Sequence, residues 1–202
     1  DSVTIHLRED RRHIRDYDLK NIKKKLKIPL NLEIAPTNEM AMIAIRNKLD
    51  FVCLVPEKRK EITTEGGLNV NRYKKNIKKI ILKLKKKNIR VSLFVEPKIQ
   101  DIKISKELGA KCVELHTGNF CNMFNKKKKL NKSYLRLKNA ANFAKKIGLE
   151  VHAGHGLTCK STMLVSKIDQ IVEFNIGHAI IADSVFFGLK NTIRKFKKII
   201  SK

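Results

Sequence analysis

The sequence predicts a parallel (β/α)8-type barrel, and three observations carry that reading. Short apolar, β-branched runs alternate with amphipathic helical stretches along all 202 residues, the pattern of parallel βα units. The run Asp50-Phe51-Val52-Cys53-Leu54-Val55 is apolar throughout after its first residue, as expected of a strand covered on both faces. Ionisable residues also recur where the runs end: His6, Glu33, Glu57, Glu96, Glu114, His155 and His178. A (β/α)8 barrel keeps its active site at that end of its strands. A doubly wound open sheet is the alternative, but it more often carries a glycine-rich turn after its first strand, and none is present.

Val3-Thr4-Ile5 is the first strand and leads into His6, Arg8, Arg11, Arg12 and His13. Side chains two apart on a strand share a face, so His6 and Arg8 point the same way. From Tyr17 to Leu26, Leu19, Ile22 and Leu26 recur at helical spacing. Pro29 to Ile34 is the next strand, with Asn31 and Glu33 on one face. Thr37 is positioned to cap a helix holding Met40, Ile43 and Ala44. After the Asp50–Val55 strand comes a long polar connection, Pro56 to Val70. Long loops in compact domains tend to be functional lids, and Gly66-Gly67 would hinge this one. A helix from Asn71 to Lys87 carries Tyr73, Ile77, Ile80, Ile81 and Leu84 on one stripe.

Arg90 to Val95 is a strand, and the helix after it, Ile99 to Leu108, ends at Gly109. Lys111 to His116 is another strand, with Glu114 and His116 on the same face. A lysine-rich loop then leads to a helix from Ser133 to Ile147, closed by Gly148. Leu149 to Ala153 runs into Gly154-His155-Gly156, followed by a short helix around Met163 to Ile168. Ile171 to Ile176 runs into Gly177-His178, and helical segments bearing Ile193, Phe196, Ile199 and Ile200 follow.

The chain is long enough for one domain with a proper core, read as residues 1–202. An apolar fraction of 42% argues against disorder despite 32% charge. No apolar run is long enough to span a bilayer, and there is no signal-peptide pattern. The four cysteines, Cys53, Cys112, Cys121 and Cys159, form no CxxC pair, and Cys53 and Cys112 sit in strand-like runs as small buried hydrophobes. A reducing cytoplasm fits that usage. The net charge of +26 invites a nucleic-acid reading. Against it, the lysines are spread over nearly every helix, they are not interleaved with aromatics, and Trp is absent. Their diffuse field suits anionic metabolites.

Guanidiniums and imidazoles at a strand end suit a phosphorylated substrate. The glycines around His155, and Gly177 before His178, let backbone N–H groups approach a phosphate. The loops after the last two barrel strands commonly form such a site. Glu33 and Glu114 would face a closed mouth, where burial raises a carboxyl pKa into the range useful for proton transfer. The histidines lack metal-ligand spacing, and His152 and His155 would face opposite ways, so general acid–base work is preferred to a metal site.

Six segments together resemble the pyridoxine 5′-phosphate synthase family: TIHLREDRRHI (4–14), NLE (31–33), CLVPEKRKEITTEGGL (53–68), VELHTG (113–118), AGHGLT (153–158) and NIGHAII (175–181). The resemblance covers the whole chain in order. It implies condensation of 3-amino-2-oxopropyl phosphate with 1-deoxy-D-xylulose 5-phosphate to give pyridoxine 5′-phosphate, phosphate and water, without a cofactor. By motif, His6 and Glu33 match the family's proton acceptors and His155 its proton donor. Glu114 matches the group that stabilises a transition state. Arg8, His13 and Thr63 match positions holding the deoxyxylulose phosphate, and Gly156, Gly177 and His178 those holding the amino-ketone phosphate or product. The family forms octamers, so a homo-oligomer is implied. Two departures stand out: Asp183 follows Ala182 where the family usually has Arg, and His152 stands where Asn is common and is expected to point away from the site.

Seven βα units are legible where a closed barrel has eight. The expectation is that the first unit is missing, leaving the strands at Val3 and Val172 as open edges and part of the site absent. The rival reading is an inactive barrel remnant acting as a basic nucleic-acid-binding protein, whose affinity would fall steeply with salt.

Overall fold

The structure is a computed structural model and describes residues 1–57, 66–126 and 130–201. Seven strands form one parallel sheet in sequential order: β1 (Val3–His6), β2 (Leu30–Ile34), β3 (Phe51–Leu54), β4 (Arg90–Val95), β5 (Cys112–His116), β6 (Glu150–Gly154) and β7 (Ile171–Asn175). Between them run α1 (Asp16–Lys25), α2 (Asn38–Arg46), α3 (Lys74–Lys85), α4 (Ile99–Glu107), α5 (Gly118–Asn125), α6 (Asn131–Lys146) and α7 (Cys159–Val165). After β7 come α8 (His178–Phe187) and α9 (Leu189–Ile200). The sheet curls until Thr4 Oγ1 on β1 donates to Asn175 Oδ1 on β7, 2.9 Å away. The expected seven-unit barrel architecture is therefore present.

Strand alternation divides the molecule into two cores. Leu30, Leu32, Ile34, Val52, Leu54, Val91, Leu93, Val113 and Leu115 point outward and meet the helices. There they join the i, i+3, i+4, i+7 stripe of α3, formed by Ile77, Ile80, Ile81 and Leu84. The other alternation points inward and is largely polar: Asn31, Ser92, Glu114 and His152 are buried there, with Cys53, Val55 and Phe94 as a separate apolar cluster. Register sets inward groups side by side, His6 opposite Glu33, Glu33 opposite Cys53, and Cys53 opposite Ser92.

Helix starts follow local chemistry. Thr37 Oγ1 accepts from the Met40 amide at 3.4 Å and caps α2 as expected. Thr158 and Ser161 form a capping box on α7. Two expectations need correction. The Asn71–Lys87 helix begins only at Lys74, and Tyr73 is its exposed N-cap residue instead of part of the buried stripe. The connection after β5 contains α5, which begins on Gly118. A glycine start and a polar, lysine-rich flank masked it, although Phe120 and Cys121 bury one side. After β7, α8 buries none of its residues, and its Val185 and Phe186 are 79% and 82% exposed; Val172 on the edge strand β7 is exposed as well.

Candidate active site

A cavity of about 850 Å³ opens at the C-terminal ends of the strands. It is lined by His6, Arg8, His13, Glu33, Glu114, His155, Gly156, Gly177 and His178. The structure thus brings together every site residue read from the sequence except Thr63, which lies outside the described residues.

On β1, His6 sits between two carboxylates. Its Nε2 is 2.9 Å from Glu57 Oε1, and its Nδ1 is 3.7 Å from Glu33 Oε2. Burial alone would raise the Glu57 carboxyl; the hydrogen bonds from His6 and from the Glu9 amide, with the nearby Arg8 charge, outweigh it and hold it below the usual range. Glu57 therefore accepts as a carboxylate. Glu33 moves the other way: burial raises its pKa, only partly offset by His6. Two carboxyl groups on one imidazole thus have their pKa values pushed in opposite directions.

Glu114, on β5, lies at the centre of the interior and is fully enclosed. Burial first, and Glu33 second, push its pKa well up. Asn175 Nδ2 donates to Glu114 Oε2 at 2.8 Å, and the Cys53 thiol reaches the same oxygen at 3.7 Å. Asn175, which the sequence reading passed over, links three strands, since its Oδ1 accepts from Thr4. Its signal was its place two residues before Gly177, on the face of Glu173. Gly154 is fixed by close approach, because a Cβ there would lie 2.0 Å from Glu114 Oε1.

His155 follows β6 with φ +74°, and Gly156 continues at +79°. A side chain in this left-handed region costs energy and persists where surroundings hold it. Thr117 Oγ1 holds it here, donating to the carbonyls of Gly154 at 2.8 Å and His155 at 2.6 Å. The His155 pKa is lowered, first by burial and then by His116 and His178, so the neutral imidazole is favoured.

Two features suit phosphate. Arg8 is 4% exposed yet lines the cavity, with Nε 3.6 Å from Asp10 Oδ1. Gly177, the N-cap residue of α8, and the helix residues from His178 to Ile180 also line it, and no side chain caps that helix start. Asp183 lies within α8 and does not line the cavity, whereas Ala182 does.

The opposite end of the interior is closed. Arg90 Nη1 meets Glu150 Oε1 at 2.8 Å, and the same oxygen lies 2.8 Å from His152 Nε2. His152 Nδ1 is 3.4 Å from Glu173 Oε1. His152 points into this floor and not into the mouth, as expected of it. Cys112, Glu150 and His152 bring their donor atoms within 4.8 Å of one another, the one such grouping among the described residues. Its chemistry fits a cation poorly, because the Arg90 guanidinium occupies Glu150 and burial pushes the Cys112 thiol up to about 12.

Comparisons with known proteins bear on the family and the fold. The family model described as "Pyridoxal phosphate biosynthesis protein PdxJ" matches residues 1–202. The pyridoxine 5′-phosphate synthase of Pelagibacter ubique is 55% identical over 201 residues, covering 100% of this chain and 84% of that protein. That of a Sulfurihydrogenibium species is 49% identical, covering 99% of this chain and 83% of its own. Among solved structures, 3-hexulose-6-phosphate synthase from Salmonella typhimurium superposes with a TM-score of 0.69 at 13% identity, over 99% of this chain and 86% of that one. At that identity the likeness speaks to the fold alone.

Proposed function

The chain belongs to the PdxJ family, and from that premise we propose how its cavity performs pyridoxine 5′-phosphate synthesis. The reaction joins 3-amino-2-oxopropyl phosphate to 1-deoxy-D-xylulose 5-phosphate and releases phosphate and water. The alternative of an inactive nucleic-acid-binding remnant gains no support from the family relationship. Among the described residues, no helix is long and apolar enough to cross a membrane. We place the protein in the cytoplasm and expect a homo-oligomer, as the family resemblance implies.

One observation carries the assignment of roles: strand-end residues far apart in sequence converge on one cavity with their protonation states pulled apart. Ring construction from two phosphorylated ketones needs repeated proton transfers as the amine of one condenses with the ketone of the other, a carbon nucleophile attacks the remaining ketone, and water and phosphate leave. Ionised Glu57 accepts from His6 Nε2–H, which leaves Nδ1 as a lone-pair base facing the cavity beside Glu33. Glu33, whose raised pKa makes its ionised form the stronger base, takes up a proton in a later step. Glu114, kept neutral by burial, offers a hydrogen bond to an oxygen that gains negative charge as its carbonyl is attacked. His155, also lining the cavity, first takes up a proton released earlier in the sequence and, with its pKa lowered, gives it readily to a leaving hydroxyl.

Arg8 and His13 hold the deoxyxylulose phosphate, and Thr63 joins them in this proposal. Gly156 and the Gly177-His178 start of α8 hold the second phosphate through backbone N–H groups. Phosphate release from the two substrates together tests the reading. Release that requires both substrates supports it. Release from either substrate alone, or none from the pair, overturns it.

A further inference from the structure

We propose that His116 is a positioning residue for His155, and that Glu96 joins this pair to the segment returning from the loop after β3. The inference rests on the role given to His155 above. His116 ends β5, and Glu96 directly follows β4, so neighbouring strands present them together. His116 Nδ1 is 2.8 Å from Glu96 Oε1. The bond from His116, the Gly67 amide and Arg136 hold the Glu96 carboxyl below its ordinary range against burial. An ionised Glu96 can only accept, so Nδ1 carries the proton and Nε2 of the neutral ring carries a lone pair.

That Nε2 is buried and has no hydrogen-bond partner among the described residues. It is aimed at Gly118 and His155. A Cβ on Gly118 would lie 2.6 Å from His116 Nε2 and 3.1 Å from His155 Cδ2. The two rings are 4.9 Å apart between centroids, and Phe94 closes on both, edge-on to His116 at 5.2 Å and tilted to His155 at 6.4 Å. The strained backbone at His155 is tied to the same strand end through Thr117. His155 is therefore held twice at the end of β5, by its carbonyl through Thr117 and by its ring against His116.

Glu96 carries the second link. Its Oε1 also accepts from the Gly67 amide at 3.1 Å, and the Leu68 amide donates to the Phe94 carbonyl at 2.7 Å. Arg136 on α6 approaches its other oxygen at 3.5 Å. The seating of residues 66–68 is thus felt by the carboxylate that sets the His116 tautomer.

The first test uses the unmodified chain: nitrogen shifts of its histidine rings, read by NMR. A neutral His116 bearing its hydrogen on Nδ1 supports the proposal, and one bearing it on Nε2 overturns it. The second test compares His116→Phe and Glu96→Gln for kcat, KM and the NMR titration of His155. His116→Phe keeps the ring packing and removes both nitrogens. We expect its kcat to fall by roughly ten- to a hundredfold with KM little changed, and the NMR titration of His155 to shift. Glu96→Gln still accepts from Nδ1–H and should keep most of the parent chain's kcat. A His116→Phe protein whose His155 titrates as before, with lower melting temperature its only change, would show a merely structural residue. Because the ring shifts and titrations need no turnover, failure of the proposed reaction remains distinguishable from failure of this inference.

Discussion

The barrel interior has two ends built from the same residue types and doing opposite work. At the floor, Glu150, His152 and Glu173 are gathered around Arg90, and the Arg90 guanidinium also covers the Phe51 ring at 4.0 Å. Each carboxylate faces a cation or an imidazole, and the space between them is filled. At the mouth, Glu33 and Glu114 face a large cavity, with Glu114 hydrogen-bonded by an amide and a thiol instead of a cation. Burial therefore acts differently on the two. The floor's Glu150 would be raised by burial, but His152 and Arg90 outweigh that and hold it below the ordinary range. Glu114 is pushed up by burial and further by Glu33. The lesson is that charge pairing separates a stabilising carboxylate from a reactive one within a single sheet. The mouth also contains paired groups, Glu57 and Glu96, which position histidines.

The comparison breaks most visibly at His155. His155→Ala should lower kcat by about 10²–10⁴-fold, with a much smaller change in KM; steady-state rates with both substrates check it. A variant with normal turnover would remove the mouth from the chemistry. Arg8→Ala should raise KM for the deoxyxylulose phosphate by roughly ten- to a hundredfold, the loss of one charge-assisted contact. Unchanged KM would place that phosphate elsewhere. Gly154→Ala forces a methyl into Glu114 and should destabilise by about 1–3 kcal/mol, seen as a lower melting temperature together with a lower kcat. At the floor, His152→Ala should cost about 1–3 kcal/mol in denaturant unfolding and leave KM and kcat close to those of the parent chain.

Much of this contrast was legible in the sequence. Alternation within Asn31-Leu32-Glu33 and Cys112-Val113-Glu114-Leu115-His116 places carboxylates and imidazoles on the inward face. The strand-end positions of His6 and His155 point to the mouth by fold logic alone. What stayed hidden depends on packing across long separations. His6 meets Glu57 from 51 residues away, and Glu114 meets Asn175 from 61. No local pattern marks Asn175 as the bridge between β1, β5 and β7. The positive φ of His155 was hidden as well, because histidine rarely needs that conformation and only the Thr117 contacts explain it. His152 was read as pointing away from the site, and the floor supplies its physical partners, Glu150 and Glu173.

The two ends also differ in how stability follows pH. A raised folded pKa, as at Glu33 and Glu114, gives stability that is fully present below the ordinary carboxyl value and is lost as pH rises through the folded value. A lowered one, as at Glu150, gives stability present above the ordinary value and lost as pH falls through the folded value. The most direct test compares Glu114→Gln with Glu150→Gln, each followed by melting temperature across pH and by kcat. Glu114→Gln should melt higher than the parent chain above neutral pH, match it in acid, and lose about 10²-fold or more in kcat. Glu150→Gln should melt lower near neutral pH, by an amount on the order of 1 kcal/mol, and keep its kcat. If Glu114→Gln melts lower at every pH or keeps its kcat, or if Glu150→Gln is the variant that loses turnover, the division between a reactive mouth and a stabilising floor is wrong.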